Sequence, residues 1–269
     1  MGLYLRPLGD WISTADLVAL AGDLGIPTAQ ARTGVTRLKQ KGLLLAERRH
    51  AVGYRLNPDA ATMLERGDRR IFEMREMTDA DSWCLISFSM PESARATRHQ
   101  LRRRLQWIGA GVVSPALWIC PGHLQGEVLE IVDDLDASEW VTLFQAGTPT
   151  TARTLPEAAA DWWDLDALCA EHLEFQSSLE TLPAAPFAAY VQLIDRWRVL
   201  PYIDPGLPPS MLPADWPGRR SIAEFHRLST ELSDAAWQRV REVTGAEAAG
   251  AEATGAEATR AQVTGAGRS

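Results

Sequence analysis

Between Thr28 and Leu45 the chain carries no acidic residue, while Arg32, Arg37, Lys39 and Lys41 recur among Gln30, Thr33, Thr36 and Gln40. That mixture suits a nucleic-acid duplex. Guanidinium forks match guanine edges and phosphates, carboxamides match adenine edges, and hydroxyls serve either. A second basic run, Arg48-Arg49-His50, follows closely. Such a run suits phosphate, which positions a protein on DNA without reading its sequence. A third cluster holds Arg95, Arg98, His99, Arg102, Arg103 and Arg104, with Arg95, Arg98 and Arg102 at i, i+3 and i+7. Those three share one helical face. They could receive the phosphates of a ligand such as coenzyme A, or a second stretch of DNA. The alternative is a solvated face paired with acids such as Asp133, Asp134 and Asp136. Ten Trp residues, Trp118 among them, could line an aromatic ligand pocket, although Trp is more often core.

The search for catalytic chemistry is less productive. There is no Walker loop, no Gly-x-Ser-x-Gly elbow and no His-Glu-x-x-His. Cys84, Cys120 and Cys169 lie 36 and 49 residues apart in apolar surroundings, which is burial rather than metal spacing. The five histidines are scattered. Asp161, Asp164 and Asp166 sit beside Trp162 and Trp163 and read as acids favoured at a helix N-terminus. No catalytic residue, metal site or cofactor is expected.

The elements that must carry these residues can be outlined. Ser13 or Thr14 caps a helix through Leu17 and Leu20 that ends near Gly25. Thr28 caps a second helix from Ala29 to Lys41, with Gly42 as its left-handed C′ residue. On that helix Ala31, Val35 and Leu38 form the buried stripe, which leaves the basic face outward. Two short apolar strands around Arg48-Arg49-His50 make a hairpin, with Gly53 allowing the backbone to turn. Helix, tight turn, helix and basic hairpin is the layout of a winged helix-turn-helix, whose second helix enters the major groove. A further helix covers Pro58 to Arg70. Beyond it, strands at Trp83–Met90, Leu117–Cys120 and Trp140–Phe144 alternate with helices at Glu92–Ile108 and Leu124–Leu135. This β-α-β-α-β order suggests a ferredoxin-like α+β sandwich. From Trp162 onward the chain reads as helical, through Phe187–Leu200 to a last helix at Ser221–Val243.

Composition and charge frame these elements. The chain has 269 residues, 46% apolar and 23% charged, as in a globular protein. It has no 18-residue apolar run, its first residues lack the long apolar stretch and cleavage site expected of a secretory signal, and its three cysteines are too few for a disulfide framework, so a reducing cytoplasm is expected. The net charge of −8 hides an asymmetry. Residues 1–75 hold 12 Arg+Lys against 8 Asp+Glu, while residues 76–242 hold 13 against 24. A basic module fused to an acidic body is a recognised pointer to nucleic acid. The repeats after Gly245 are low in complexity and rich in Gly and Ala, and read as disordered. The expected organisation is therefore a winged helix at 1–75, a ferredoxin-like domain at 76–150, a helical domain at 151–242 and a tail at 243–269.

A set of ordered segments extends this reading: Arg32 to Leu38 with Lys41-Gly42, Gly53-Tyr54-Arg55-Leu56, Gly67 to Phe72, Trp83 to Pro91, Ser114 to Ile119, Trp163-Asp164-Leu165, Asp204-Pro205 and Leu212 to Gly218. With these the chain resembles the PaaX family of bacterial transcriptional regulators, named for repressors of phenylacetate catabolism. The resemblance implies a winged helix, a ferredoxin-like middle domain and a helical C-terminal domain in a homodimer. It also implies repression of a double-stranded DNA operator, relieved by an aryl-acyl-coenzyme A such as phenylacetyl-CoA. DNA contacts then fall to Gln30, Arg32, Thr33, Thr36, Arg37, Lys39, Arg48, Arg49 and His50, and ligand contacts to Arg95, Arg98, Arg102 and Trp118. Against the family pattern the first helix looks clipped before Gly2. The middle segment also resembles small CRISPR-associated nucleases of ferredoxin-like fold, which hold a metal with an Asp at the end of the first strand. Here that stretch reads Ser87-Phe88-Ser89-Met90, with no carboxylate before Glu92, which disfavours a metal-dependent nuclease and points to dimerisation; an enzyme with a winged-helix docking module and a protein–protein adaptor are the competing readings.

Overall fold

A computed structural model describes residues 2–246. The chain begins with α1 (Gly2–Leu5), β1 (Trp11–Ser13), α2 (Thr14–Asp23), α3 (Thr28–Gln40), β2 (Leu44–Arg48), β3 (Val52–Leu56) and α4 (Ala61–Phe72). It continues with β4 (Trp83–Phe88), α5 (Arg95–Trp107), β5 (Gly111–Ser114), β6 (Leu117–Pro121), α6 (Gln125–Asp134) and β7 (Val141–Ala146). The remainder is helical: α7 (Leu155–Trp162), α8 (Leu165–Ser178), α9 (Pro186–Trp197), α10 (Leu200–Ile203) and α11 (Gly218–Thr244). Of the tail expected at 243–269, Val243 and Thr244 instead end α11, and residues 247–269 lie outside the described residues. Among the described residues no helix is long and apolar enough to cross a membrane.

The chain divides into two compact units. One is formed by residues 2–73, 179–195 and 224–246. Its sheet has the order β1-β3-β2, antiparallel throughout, with Ile12 opposite Tyr54 and Leu44 opposite Leu56. Ile12, Leu44 and Leu56 join Leu17 and Leu20 of α2 and Val35 of α3 in the core. Phe187, Tyr190, Ala236 and Val240 complete it. Tyr4 meets Trp237 edge-on at 4.7 Å, and burial pushes its phenol far above the ordinary range.

Strand β1 is an addition to the expected layout. Three residues are too few to show alternation, and the strand is defined by its partner β3 rather than by its own pattern. Thr28 is not the cap of α3 but its first residue. Pro27 stands at the N-cap with extended backbone and no side-chain acceptor, which suits its fixed φ. Ser13 does cap α2, accepting from the Asp16 amide at 3.0 Å.

The other unit comprises Met74–Ser178 and Arg196–Ala223. Its four-stranded sheet has the order β5-β6-β4-β7 with every neighbouring pair antiparallel. With α5 and α6 this is the β-α-β-β-α-β ferredoxin-like arrangement. The sequence pattern shows three of those strands. Val112-Val113 is not a lead-in but the core of β5, which turns through Pro115 and Ala116 into β6. Its pairing is irregular between Val112 and Ser114, and that irregularity masks the strand period.

Cys84, Ile86 and Phe88 of β4 and Trp118 and Cys120 of β6 face Leu101, Leu105, Val128 and Val132 of the two helices. The opposite face presents Trp83 and Ile119 to Ala159, Trp163, Leu168 and Met211. The expected helix from Trp162 breaks at Trp163, which is extended. Its indole donates to the Gly109 carbonyl at 2.9 Å, and Gly111 leaves room for the ring, since a Cβ there would sit 2.5 Å from Cε2. Asp161 lies in the last turn of α7, while Asp164 directly precedes α8 and accepts from the Ala167 amide at 3.0 Å.

Candidate nucleic-acid interface

The geometry of α3 follows from its sequence. Ala31 and Val35 are buried and Leu38 half-buried, so the remaining positions turn to solvent. Gln30, Arg32, Thr33, Thr36, Arg37 and Lys39 are all exposed. Thr33 and Thr36 donate their hydroxyls back to the Ala29 and Arg32 carbonyls, at 2.9 and 3.0 Å. This fixes the side chains with the methyl and the oxygen lone pairs outward. Gly42, at φ +72°, closes the helix as a left-handed residue.

The hairpin of β2 and β3 closes with Arg48 opposite Val52, so Arg49, His50 and Ala51 form its tip. Arg48, Arg49 and His50 are exposed. The tip is held from below by Trp11. The His50 ring stands edge-on at 4.7 Å, the Arg49 guanidinium lies 5.6 Å from the indole centroid, and the indole N–H donates to the Glu47 carbonyl at 3.3 Å. Gly53 serves this contact and not a turn. It lies inside β3 opposite Ser13 and Glu47, and a Cβ there would sit 2.6 Å from Trp11 Cζ2.

An open, mainly apolar groove of about 620 Å³ joins these parts. It is lined by Thr14 and Val18 of α2, Arg32 of α3, and Ala51 and Val52 of the hairpin. Val52 is 59% exposed on its rim. Sequence reasoning missed Trp11, Thr14 and Val52. Glycine inside an apolar strand was the available signal for Trp11, because it marks the close approach of another group.

The electrostatics favour an anion. Four of the module's eight acids are engaged: Asp16 with the Ser13 hydroxyl, Asp23 with Arg239 at 2.8 Å, Glu47 with Arg49 and Arg55 at 2.6 and 3.0 Å, and Asp68 with Arg6. Among the described residues Arg32, Arg37, Lys39 and Arg48 have no acidic partner. The uncompensated charge on this surface is therefore positive, despite a chain total of −8.

The third basic cluster is differently placed. Arg98 bonds Glu92 at 2.9 Å and the Met90 carbonyl at 3.1 Å. Arg102 donates to the Pro115 carbonyl at 2.6 Å, and Arg104 pairs with Asp134 at 3.0 Å. Arg95 is 80% exposed, with Glu92 3.9 Å away. Trp118 is 4% exposed among the core residues, its indole N–H without a partner, as is Nε of Arg102. Arg95, Arg98 and Arg102 thus share one helix, while Trp118 is set into the core beneath it. Among the described residues no group of three or more His, Cys, Asp or Glu is placed to hold a metal ion.

Comparison with known proteins places this architecture. Three family models match in order: "PaaX-like protein" over residues 1–60, "PaaX protein central Cas2-like domain" over 76–158 and "PaaX-like protein C-terminal domain" over 155–242. The chain belongs to the PaaX family. Within reach of this PaaX-family chain is the transcriptional repressor PaaX of Escherichia coli strain K12, 25% identical over 260 residues, covering 90% of this chain and 80% of that one. Among solved structures, the uncharacterized protein Rv0674 of Mycobacterium tuberculosis matches with a TM-score of 0.60 and 24% identity, covering 85% of this chain and 91% of the other. That likeness concerns the fold.

Proposed function

We propose that the chain is a transcriptional repressor that binds a double-stranded DNA operator through its N-terminal winged helix, as a cytoplasmic homodimer and without a catalytic step. The observation that carries this reading is the α3 face. Arg32, Arg37 and Lys39 stand exposed and free of acidic partners beside the Thr33 and Thr36 hydroxyls. Family membership and the likeness to a repressor support it.

In this reading α3 enters the major groove. Arg37 and Gln30 address base edges, while Arg48, Arg49 and His50 address the neighbouring backbone. The groove between α2 and the hairpin takes the sugar-phosphate ridge. The effector is an aryl-acyl-coenzyme A, with Arg95, Arg98, Arg102 and Trp118 as candidate contacts. It acts by linkage: a ligand favouring a dimer with displaced winged helices lowers operator affinity by its differential affinity for the two states. The boundaries proposed for this division of labour are 1–75, 76–150 and 151–242.

The test is fluorescence anisotropy with the duplex upstream of the protein's own gene, at fixed salt, with and without phenylacetyl-CoA. The reading expects binding about 10³-fold or more tighter than to a scrambled duplex, and release on adding the thioester. Equal affinity for both duplexes contradicts the repressor. Tight specific binding indifferent to acyl-CoAs contradicts only the effector.

A further inference from the structure

We propose that Cys84 and Cys120 form a dithiol site that hydroperoxides convert to a disulfide, stapling β4 to β6 inside the ferredoxin-like sandwich. The two residues are 36 positions apart in sequence yet directly opposite in the antiparallel ladder. Side chains alternate along a strand, so directly opposed residues project to the same side. Here that side is the one facing α5 and α6, where both cysteines belong to one core cluster and both are 0% exposed. Directly opposed Cβ atoms lie roughly 4.5–5.5 Å apart, and a disulfide spans about 3.5–4.5 Å. A shift of about an ångström, within the twist of a ladder, closes the difference. Both groups are thiols in this structure. A hydrogen bond from the Cys120 side chain lowers the Cys84 thiol against the upward push of its burial, so Cys84 is written as the first attacking partner.

The chemistry balances with a hydroperoxide as oxidant. The Cys84 thiolate attacks the terminal peroxide oxygen. The O–O bond breaks, leaving a sulfenic acid on Cys84, and the departing oxygen leaves as water or alcohol after taking a proton. The Cys120 sulfur then attacks the Cys84 sulfur. The S–O bond breaks, and the hydroxyl leaves as water with the Cys120 proton. Two thiols lose two electrons and the peroxide gains them. Because neither sulfur meets solvent, the first step waits on a local opening of the sheet. Cys169, partly exposed on α8, needs no such opening and serves as an internal comparison.

The experiment exposes the full chain to hydrogen peroxide under native conditions, blocks remaining thiols by alkylation in denaturant, and maps peptides without reduction. The expected result is a linked pair of peptides joining residues 84 and 120, formed more slowly than the modification of Cys169. A thermal midpoint higher than that of the reduced protein should accompany it and disappear on reduction. The proposal is overturned if Cys84 and Cys120 stay fully alkylatable while methionine sulfoxide shows that the oxidant acted. It is equally overturned if Cys84 proceeds to sulfinic acid with no linked peptide.

Discussion

The indole of Trp11 occupies the space that a side chain on Gly53 would need, with Cζ2 only 2.6 Å from where its Cβ would sit. The Ile12 carbonyl crowds the same point. This single approach seats β1 against β3 and places under the hairpin tip the ring that Arg49 and His50 rest on. Gly53→Ala therefore forces a shift in either the strand or the indole. Overpacking of this kind costs about 1–3 kcal/mol. A thermal melt should show the loss, and Trp11→Phe in the same background should recover part of it by vacating space. A Gly53→Ala variant as stable as the parent would mean the hairpin is not seated this way.

Arg37 and Arg48 separate reading from holding. Arg37 stands on the exposed face of α3, and Arg48 at the end of β2 beside the tip. Arg37→Ala should weaken operator binding by about 1–3 kcal/mol and relax selection at one base position. Arg48→Ala should weaken binding evenly across sequences and lower the salt slope by about 1. Titrations at several salt concentrations distinguish the two. Identical behaviour of both variants contradicts the division of roles.

Ser13 stabilises the helix that walls the groove. Its hydroxyl accepts from the Asp16 amide and donates to the Asp16 carboxylate at 2.6 Å. Ser13→Ala should lower stability by about 1 kcal/mol, while Ser13→Thr, which keeps the hydroxyl that both accepts and donates, should retain most of it. Chemical denaturation of the three proteins is the check, and an alanine variant with unchanged midpoint removes the cap from the account.

Acid sensitivity has a named source in His226. Burial holds its imidazole below the ordinary value of 6.5, and it packs against Phe225 at 5.5 Å. Well above 6.5 the ring is neutral in both folded and unfolded chains and contributes no pH dependence. As pH falls through 6.5 the unfolded chain takes the proton first, so stability is lost on the acid side and levels off once the folded state protonates. Melts across this range should show the decline, and His226→Gln should flatten part of it. A variant that declines as steeply as the parent contradicts the assignment.

Legibility tracked how local each determinant is. Helix α3 could be read because Ala31, Val35 and Leu38 keep one stripe and Gly42 ends it, all within a single element. The nine DNA-facing candidates lie on that helix and the hairpin beside it, so their exposure followed from periodicity. Strand β1 could not be read, because its three residues become a strand only against β3, some forty positions later. Nor could the break between α7 and α8, which depends on the Trp163 indole reaching the Gly109 carbonyl. The opposition of Cys84 and Cys120 is a matter of register, and register is set by the whole sheet rather than by either strand. For the arginines of α5, spacing showed a shared face. The partners that occupy that face, Glu92 and the Met90 and Pro115 carbonyls, came only with the fold.

The winged helix is proposed to read duplex DNA. The most direct test is selection of bound sequences from a random duplex pool, because the outcome does not depend on knowing the target gene. The expected result is convergence on one motif with two related half-sites, spaced by about one helical turn or a multiple of it, and loss of that convergence in an Arg32→Ala, Arg37→Ala double variant that still folds. A pool that stays unenriched, or one enriched equally by the double variant, would contradict it.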